Sequence, residues 1–300
     1  MSKELVDAIL RYTERQPGPP PYATPIEGLW VLRSDHPKPP TRRLAQPAMC
    51  VVVQGTKWAT VGDHRVEYGA GQALVVGVET PSLGRVVEAT PDKPCLVLVF
   101  PLDLAIMRSV IEGMDAPPQV AGYLGRSIFV TDFDGPLAEC ALRLVRLLDT
   151  PNAIPTLHPM IMREMAFWLL SGPHGGDIAR LALTDSPSQR VMHAVRHLRS
   201  HFASAVRIEE LARLAQLSVT AFHRQFKALT ALTPLQYQKQ LRLLEARRLL
   251  ASRAVNVEAV AMEVGYQSPS QFSREYARMF GAPPKRDTTH LKSMLTAAAP

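Results

Sequence analysis

Two short segments near the end of the chain carry polar side chains at spacings that place them on one face of a helix. They are Thr220, His223, Arg224 and Lys227 in the first segment and Ser270, Gln271, Ser273, Arg274 and Arg278 in the second. Arginine, lysine and hydroxyl groups bind phosphates, and arginine and glutamine also bond to the edges of guanine and adenine. These residue types indicate contact with a DNA duplex. A helix face that is only solvated has a similar composition, so the surrounding elements must decide.

The two segments are corresponding parts of an internal repeat. Residues 208–217 align with 257–266 at an offset of 49, and residues 218–234 align with 268–284 at an offset of 50. The offset changes at Gln267, the extra residue of the second copy. Because a turn accepts an insertion more easily than a helix does, the pattern predicts two helix-turn-helix units.

Each copy contains the signals that begin a helix and bury one side of it. Ser218 and Ser268 suit the N-cap of the second helix of each unit, and Pro269 suits the first helical position. Apolar residues follow at i, i+4 and i+7, as Phe222, Phe226 and Leu229 in the first copy and Phe272, Tyr276 and Met279 in the second. A duplicated, capped helix favours DNA recognition over a surface that is only solvated.

The segment between the copies predicts one long helix. Its inward residues are expected to be Leu241, Leu244 and Leu249, and its charged residues are Lys239, Arg242, Arg247, Arg248 and Arg253. A helix of about twenty residues is ~30 Å long. One turn of a DNA duplex is about 34 Å, so this helix is expected to place the two units in successive major grooves.

Residues 189–285 resemble a known family. The stretches "EELARLAQLS", "FHRQFKALTALTPLQYQKQLRLLEARRLL" and "VEAVAMEVGYQSPSQFSREYARMFG" are similar to the DNA-binding domain of the AraC/XylS family of bacterial transcription regulators. The resemblance implies two helix-turn-helix units joined by a central helix. It also implies that bases are read by Thr220, His223, Arg224, Lys227, Ser270, Gln271 and Arg274. After the last proline the family usually has an aromatic residue and an arginine, which "PPKRDTTH" replaces here, so the departure concerns the end of the last helix and not the recognition helices.

The front of the chain has the pattern of antiparallel β-structure after one amphipathic helix. The helix is predicted within residues 1–16, with Leu5 and Ile9 on one side. Between about residues 40 and 101, the apolar runs "MCVVVQG", "ALVVGV", "RVVEA" and "CLVLVF" are separated by turn signals. Short strands at regular spacing predict an antiparallel sandwich or barrel, and helical spacing returns afterwards.

The stretch "PPTRRLAQPAMCVVVQGTKWATVGDHRVEYGAGQALVV" resembles the cupin-type N-terminal domain of one AraC-type subgroup, which is associated with small-molecule sensing and self-association. The expected fold class is therefore α+β. A cupin-like antiparallel β-barrel with a helical extension is expected over residues 1–185. An all-α domain of two helix-turn-helix units joined by a central helix is expected over residues 186–292. Trp58 and Tyr68 are candidates for an effector pocket, with packing in the core as the alternative for each.

The charge of the chain is divided unevenly. Residues 190–300 hold 17 Lys and Arg against 7 Asp and Glu, whereas residues 1–189 hold 17 against 20. A basic back half indicates a polyanionic partner, and double-stranded DNA at a promoter or operator is the simplest one. RNA polymerase, an unknown small-molecule effector and a second copy of the chain are further partners to consider.

No membrane span, export signal or disulfide framework is predicted. No window approaches the ~18 uninterrupted apolar residues that a span needs, and the first residues contain acids instead of an apolar signal-peptide core. Cys50, Cys95 and Cys140 are far apart and lack CxxC spacing, which favours a reducing cytoplasm. They are expected to be buried thiols; a sensor cysteine would need a lowered pKa.

Enzyme and metal functions have little support in the sequence, and no catalytic residue, metal or cofactor is predicted. His64 has no partner in an H-x-H pair, and neither a phosphate-binding glycine loop nor a nucleophile elbow occurs. His193, His197 and His201 recur at i, i+4 and i+8, but on the polar side of their helix, so exposure is expected rather than metal binding. The main prediction is a bacterial, cytoplasmic, sequence-specific DNA-binding transcription regulator, modulated by a small-molecule effector at its N-terminal domain. The alternatives left open are a cupin-type enzyme or an electrophile or redox sensor with an attached DNA-binding domain, and a non-specific architectural DNA binder.

Overall fold

The computed structural model describes residues 1–120, 127–183, 186–252 and 256–297. The chain is α+β, as predicted, with a β-rich front followed by helices. Within the described ranges, no helix combines the length and the apolar character that crossing a membrane requires.

The front half is built on two antiparallel sheets. Their strands are β1 (Tyr22–Ala23), β2 (Trp30–Ser34), β3 (Thr41–Ala45), β4 (Ala48–Gln54), β5 (Thr56–Val61), β6 (His64–Gly69), β7 (Gln72–Val76), β8 (Thr80–Glu88), β9 (Cys95–Pro101) and β10 (Ile128–Asp132). One sheet has the order β1-β2-β9-β4-β7-β10 and the other has the order β3-β8-β5-β6. The four apolar runs predicted as strands form β4, β7, β8 and β9, which confirms them. The inner faces of the sheets pack together, but the described strands do not close the expected barrel into one ring.

Alternation of side chains along the strands gives the larger sheet two different apolar faces. Along β4, Met49, Val51 and Val53 join the core that the helices cover, whereas Cys50 and Val52 face the second sheet. The covering helices are α1 (Lys3–Glu14), α2 (Leu104–Glu112), α3 (Gly135–Leu147), α4 (Ile154–Ser171) and α5 (Gly175–Ala182), with a 3-10 turn at Pro151–Ala153. The interior between the two sheets is thus separate from the main helical core.

The rest of the described chain is helical. Its helices are α6 (Pro187–Ser200), α7 (Ile208–Leu214), α8 (Val219–Thr230), α9 (Pro234–Ser252), α10 (Val257–Glu263), α11 (Pro269–Phe280) and α12 (Pro284–Ala297). The pairs α7–α8 and α10–α11 are the two predicted helix-turn-helix units, and α9 is the predicted central helix. The domain boundary at residues 185 and 186 stays a prediction, because residues 184–185 lie outside the described ranges.

The two helix-turn-helix units are packed into different cores. Apolar residues of α7 and α8 belong to one continuous cluster with the front half of the chain, whereas α10 and α11 form a second cluster with the later part of α9. Tyr237 and Leu241 of α9 lie in the first cluster, and Leu243 and Ala246 lie in the second. The central helix therefore connects the second unit to a body that already includes the first.

The C-terminal end of α8 is held by the front half. Thr80 Oγ1 donates a hydrogen bond to the backbone oxygen of Thr230 at 3.1 Å, and Ser127 Oγ donates to the backbone oxygen of Leu229. The last carbonyl groups of a helix have no partner within it, so side chains from elsewhere commonly satisfy them. These bonds fix the first unit against the β-domain.

Candidate nucleic-acid interface

The second helix of the first unit, α8, begins at a capped serine and buries one side. Ser218 Oγ accepts a hydrogen bond from the backbone N–H of Ala221 at 3.3 Å, which confirms the predicted N-cap. Phe222, Phe226 and Leu229 are buried, as their spacing predicts. One side of α8 is therefore packed in the core, and the opposite face points to solvent.

The corresponding helix of the second unit, α11, is built in the same way. Ser268 Oγ accepts from the backbone N–H of Gln271 at 3.3 Å, so the second predicted N-cap is also confirmed. Phe272 and Tyr276 are buried and Met279 is half-buried. The repeat in the sequence is a repeat in structure down to the capping hydrogen bond.

The turns that precede the two helices also match. The equivalent hydrogen bonds run from the N–H of Leu217 to the oxygen of Ala212 and from the N–H of Tyr266 to the oxygen of Ala261, each 2.9 Å long. Each turn contains one residue in the left-handed region, Gln216 in the first unit and Gly265 in the second. Gln267, the extra residue of the second copy, follows the turn of the second unit, and both units still form the equivalent hydrogen bond.

The predicted DNA-contacting side chains lie on the faces opposite the buried stripes. Those exposed are Thr220, Arg224, Lys227, Ser270, Gln271, Arg274 and Arg278, and those half-buried are His223 and Ser273. In the part of the chain that the structure describes, no carboxylate forms an ion pair with any of the four cations in this set. The cations are therefore available to phosphates, and the structure gathers the nine residues onto two surfaces, one for each unit.

Gln271, a member of this set, already has a protein partner. Its Nε2 donates to Glu275 Oε1 at 3.4 Å, and the same carboxylate accepts from Tyr266 at 2.8 Å and pairs with Lys239 at 2.6 Å. Burial acts to raise the pKa of Glu275, but the hydrogen bonds from Lys239, Tyr266 and Gln271 outweigh it and lower the pKa. The ionised carboxylate holds α11 against α9, and the long bond to Gln271 is the weakest of the three.

Arg242 on α9, predicted as one of the charged residues of the central helix, makes its hydrogen bonds within the protein. Its guanidinium donates to the backbone oxygens of Phe202 at 2.7 Å, Gly265 at 2.9 Å, Ala203 at 3.1 Å and Ser204 at 3.0 Å. Burial lowers the pKa of Arg242 from its ordinary value. The side chain ties the loop after α6 to the turn of the second unit.

Arg247 and Arg248 on the same helix are likewise engaged with carboxylates. Arg247 makes two hydrogen bonds to Asp287 of α12, at 2.9 and 3.1 Å, and Arg248 pairs with Glu245 one turn earlier. Arg253 lies outside the described residues. Of the predicted inward leucines, Leu241 and Leu249 are buried and Leu244 is half-buried, with Leu243 and Leu250 as further buried residues.

The two candidates for an effector pocket lie on opposite faces of one sheet. Tyr68 is buried between the sheets, in the cluster that contains Cys50. Tyr68 of β6 pairs with Lys57 of β5, so these two side chains share one face of the sheet. The next residue, Trp58, lies on the opposite face, where the guanidinium carbon of Arg65 is 4.4 Å from the centre of its ring. The structure therefore does not bring Trp58 and Tyr68 together. It places Lys57 beside Tyr68 instead, a position that the sequence marks only by a lysine within an apolar strand.

A cavity of about 480 Å³ lies between β3 of the front half and α6, α9 and α12. Its lining combines apolar residues with five arginines, one glutamate and one glutamine: Arg42, Arg43, Leu44, Gln46, Arg199, Phe202, Leu241, Leu244, Glu245, Arg247, Arg248, Ala251 and Leu291. Arg42 also donates to the backbone oxygen of Met279 at 2.8 Å, so this wall touches the second unit. A ligand here would contact both halves of the chain.

His193 and His197 of α6 and its C-cap residue, His201, are on the polar side, as predicted. His193 and His201 are exposed and His197 is half-buried, and the ring centroids of His197 and His201 are 4.2 Å apart. Across the described ranges, no group of three or more His, Cys, Asp or Glu residues is placed to hold a metal ion.

The described chain thus combines a β-rich front with two helix-turn-helix units whose outward faces carry exposed cations. The chain belongs to the AraC-type transcriptional regulators. The family profile described as AraC-type transcriptional regulator N-terminus matches residues 25–177, just over half of the chain, and a helix-turn-helix domain profile matches residues 211–289.

Curated relatives agree with this assignment. The HTH-type transcriptional activator RhaS of Escherichia fergusonii is 37% identical over 101 residues, which are 34% of this chain and 36% of RhaS. RhaS of Escherichia coli strain SE11 is 36% identical over 88 residues, 29% of this chain and 32% of that protein. The chain thus spans about a third of the length of the curated relatives it matches.

ToxT from Vibrio cholerae strain SCE256, solved with an unsaturated fatty acid bound, superimposes with a TM-score of 0.55 over 86% of this chain and 92% of ToxT. The two sequences are 9% identical, so this similarity concerns the fold. It extends over both the β-domain and the helical domain.

Proposed function

We propose that the chain is a sequence-specific, DNA-binding transcription regulator in which α8 and α11 each enter a major groove. The observation that carries the proposal is the pair of N-capped helices, each with exposed cations opposite a buried aromatic stripe. Arginine on such a helix pairs with guanine, glutamine pairs with adenine, and lysine binds phosphate. The proposed contact residues are Thr220, His223, Arg224, Lys227, Ser270, Gln271, Ser273, Arg274 and Arg278.

The central helix supports engagement of two grooves by one chain. α9 has 19 residues, which corresponds to roughly 28 Å at the helical rise. Lys239 and Arg242 attach the second unit to this helix, through Glu275 and through the turn at Gly265. Because one duplex turn is about 34 Å, a rigid connection of this length suits two half-sites on one side of the DNA.

The test is a footprint and a titration of the full chain on the DNA upstream of its own gene and neighbouring genes. We expect two protected half-sites about 10 bp apart, and an affinity that falls steeply as salt rises. A random duplex of the same length is the control. Equal affinity for both duplexes would support the architectural binder instead, and salt-independent binding would contradict phosphate contact.

We also propose that a small-molecule effector modulates the regulator from the cavity between β3 and α9. Both halves line this cavity, and Arg42 reaches from it to the second unit. ToxT was solved with an unsaturated fatty acid, and the lining here offers Arg43 to a carboxylate and Leu44, Leu241 and Leu244 to an apolar chain. RNA polymerase and a second copy of the chain remain predictions from the family resemblance.

The effector proposal is tested by titrating sodium oleate into the protein–DNA complex. We expect oleate to change the DNA affinity of the unmodified chain and to act more weakly on Arg43→Ala. The matched control is Arg33→Ala, which removes a front-domain arginine paired with Asp35 outside the cavity. An equal response of both variants would place the effector elsewhere.

A further inference from the structure

Three polar side chains meet in the apolar space between the two sheets. Lys57 Nζ lies 3.4 Å from Cys50 Sγ, and the hydroxyl of Tyr68 lies 3.5 Å from the same sulfur. Lys57 is 6% exposed, Cys50 7% and Tyr68 2%, so the cluster is almost completely shielded from water. Two hydrogen-bond donors from β5 and β6 thus point at one thiol on β4.

The lysine of this cluster lacks the usual counter-ion. Among the residues that the structure describes, no carboxylate lies within 4 Å of Lys57 Nζ. A buried ammonium group without an anion is costly, and Cys50 is the group in contact that can supply a negative charge by losing its proton. The hydroxyl of Tyr68 is a second donor to the same sulfur.

The other two cysteines provide an internal comparison. Burial raises the pKa of Cys95 and of Cys140 to about 11. Burial acts in the same direction on Cys50, but the charge of Lys57 and the hydrogen bond from Tyr68 outweigh it, so that its pKa lies below the ordinary value. Cys50 is also the most accessible of the three, since Cys95 is 1% and Cys140 0% exposed.

We propose that Cys50, Lys57 and Tyr68 form a covalent capture site for small, uncharged α,β-unsaturated carbonyl compounds. A thiol beside an amine that accepts its proton is an activated nucleophile. Two hydrogen-bond donors beside the sulfur suit the oxygen of an activated carbonyl. The side chains packed around the cluster are apolar: Val52, Ala59, Leu74, Val76, Ala89 and Val97. Such surroundings favour a small uncharged organic electrophile over water-like oxidants or ionic ligands.

The reaction is an addition and needs no further reagent. Cys50 Sγ forms a bond to the β-carbon, and the π electrons of the C=C bond move towards the carbonyl to give an enolate. The enolate then takes a proton at the α-carbon from the Lys57 ammonium group, which received it from the thiol. The S–H group has thereby added across the double bond, and Lys57 returns to the amine.

An adduct at this site can displace residues that contact the DNA-binding half. Arg43 of β3 lines the cavity that faces α9, and its charge also lowers the pKa of Cys50. An added group between the sheets must displace side chains that hold β3 and β5 in position, because protein interiors are close-packed. An effect of the adduct on DNA affinity rests on the proposed function, whereas the capture itself does not.

The capture is tested by treating the full chain with one equivalent of methyl vinyl ketone and mapping the adducts by peptide mass spectrometry over time. We expect Cys50 to react at least ~10-fold faster than Cys95 and Cys140, in line with its larger thiolate fraction. Similar rates at all three cysteines would mean that labelling follows unfolding, and would overturn the proposal.

Two variants separate activation from exposure. Lys57→Met keeps the length of the side chain and removes the amine, so we expect the rate at Cys50 to fall by about tenfold or more. The control is Lys93→Met, an exposed lysine, which is expected to leave the rate unchanged. The rates at Cys95 and Cys140 report any loosening of the fold in either variant. An unchanged rate at Cys50 in a folded Lys57→Met protein would contradict the proposal.

Two further measurements complete the test. If hydrogen peroxide modifies Cys50 selectively and methyl vinyl ketone does not, the assignment of α,β-unsaturated carbonyl compounds as the captured class is wrong. DNA affinity measured before and after labelling is expected to change for the unmodified chain and not for Cys50→Ser. An adduct without such a change would contradict the regulatory role of the site. Failure of unlabelled protein to bind DNA would instead count against the proposed function and leave the labelling rates readable.

Discussion

Tyr237 of the central helix donates its hydroxyl to the backbone oxygen of Glu79 at 2.8 Å, and the tyrosine side chain is fully buried. The carboxylate of the same Glu79 accepts from Gln46 at 2.5 Å and pairs with Arg199 of α6. One residue between β7 and β8 therefore contacts both the helix that precedes the first unit and the helix that joins the two units. A displacement of Glu79 would therefore act on both helices.

Replacing Tyr237 with phenylalanine is expected to lower the free energy of unfolding by about 1–2 kcal/mol, because a buried carbonyl loses its partner. The matched control is Tyr12→Phe, whose hydroxyl bonds to the backbone oxygen of Ala23 at 3.2 Å on the surface. Water replaces that partner, so a loss below about 0.5 kcal/mol is expected. Urea unfolding of both variants measures the difference. Equal losses would mean that the domain contact contributes nothing beyond an exposed bond.

Stability is expected to fall as the pH rises above about 10. Burial raises the pKa of Tyr237, Tyr266 and Tyr276 above the ordinary value of 10.0. Above pH 10 the folded chain therefore keeps phenol protons that the unfolded chain releases. The contribution of these tyrosines to the free energy of unfolding is fully present below pH 10 and is lost as the pH rises above it. Each such tyrosine contributes a slope of about 1.4 kcal/mol per pH unit.

Unfolding free energies measured between pH 8 and 11 test this pH dependence. In Tyr237→Phe the slope above pH 10 is expected to decrease by the contribution of one group. A slope that stays the same in that variant would mean that Tyr237 ionises as readily in the folded chain as in the unfolded one.

Gly265→Ala is expected to disrupt the turn of the second unit. Gly265 has φ of 89°, and an added Cβ would lie 2.0 Å from the backbone oxygen of Ala203. Strain and overlap together are expected to cost more than about 2 kcal/mol. Gly281→Ala is the matched control, since its φ is 79° and nothing lies within 4 Å of the added atom. There we expect only the ~1 kcal/mol of backbone strain. Equal losses of urea stability would show that the contact with Ala203 is unimportant.

Features that depend on local patterns could be predicted from the sequence. Only a few neighbouring residues determine the N-caps at Ser218 and Ser268 and the buried stripes of α8 and α11. The same pattern occurs in both copies of the repeat, which strengthens the prediction. The strands were visible as apolar runs between turns. The cupin-like resemblance gave the architecture of the front half, although not the open edge between its two sheets.

Features that depend on distant residues could not be predicted. Thr80 and Thr230 are 150 residues apart in the chain, and no periodicity links them. Arg242 has the pattern of a surface cation, yet four backbone oxygens surround it because two loops converge there. The pairing of β5 with β6 decides that Lys57 faces Tyr68, and only the fold shows that Cys50 lies beside both.

Arg242→Met is expected to destabilise the second unit because four backbone carbonyls, three of them in half-buried residues, lose a charged donor. Hydrogen bonds to charged groups are worth about 1.5–3 kcal/mol, so a loss of about 2–3 kcal/mol in urea unfolding is expected. Arg248→Met is the control, because its pair with Glu245 is largely exposed and is expected to matter by less than about 1 kcal/mol. A stable Arg242→Met protein with weaker DNA binding would instead assign Arg242 to the DNA surface.

Arg224→Ala and Lys227→Ala are expected to weaken DNA binding in different ways, although both residues lie on α8 and both are exposed. Removal of an arginine that pairs with a guanine costs about 1–3 kcal/mol and relaxes specificity at that base pair. Removal of a phosphate-binding lysine weakens all sequences alike and reduces the salt slope by about one.

The measurement for these two variants is a titration of each against the footprinted site, against a library of single-base substitutions and across a salt series. Arg11→Ala is the control, since this exposed arginine on α1 removes the same charge from the front half. If Arg224→Ala kept both its affinity and its base preference, α8 would not be a recognition helix. A loss equal to that of Arg11→Ala would reduce its role to net charge, whereas a loss at one or two base positions assigns the base that Arg224 reads.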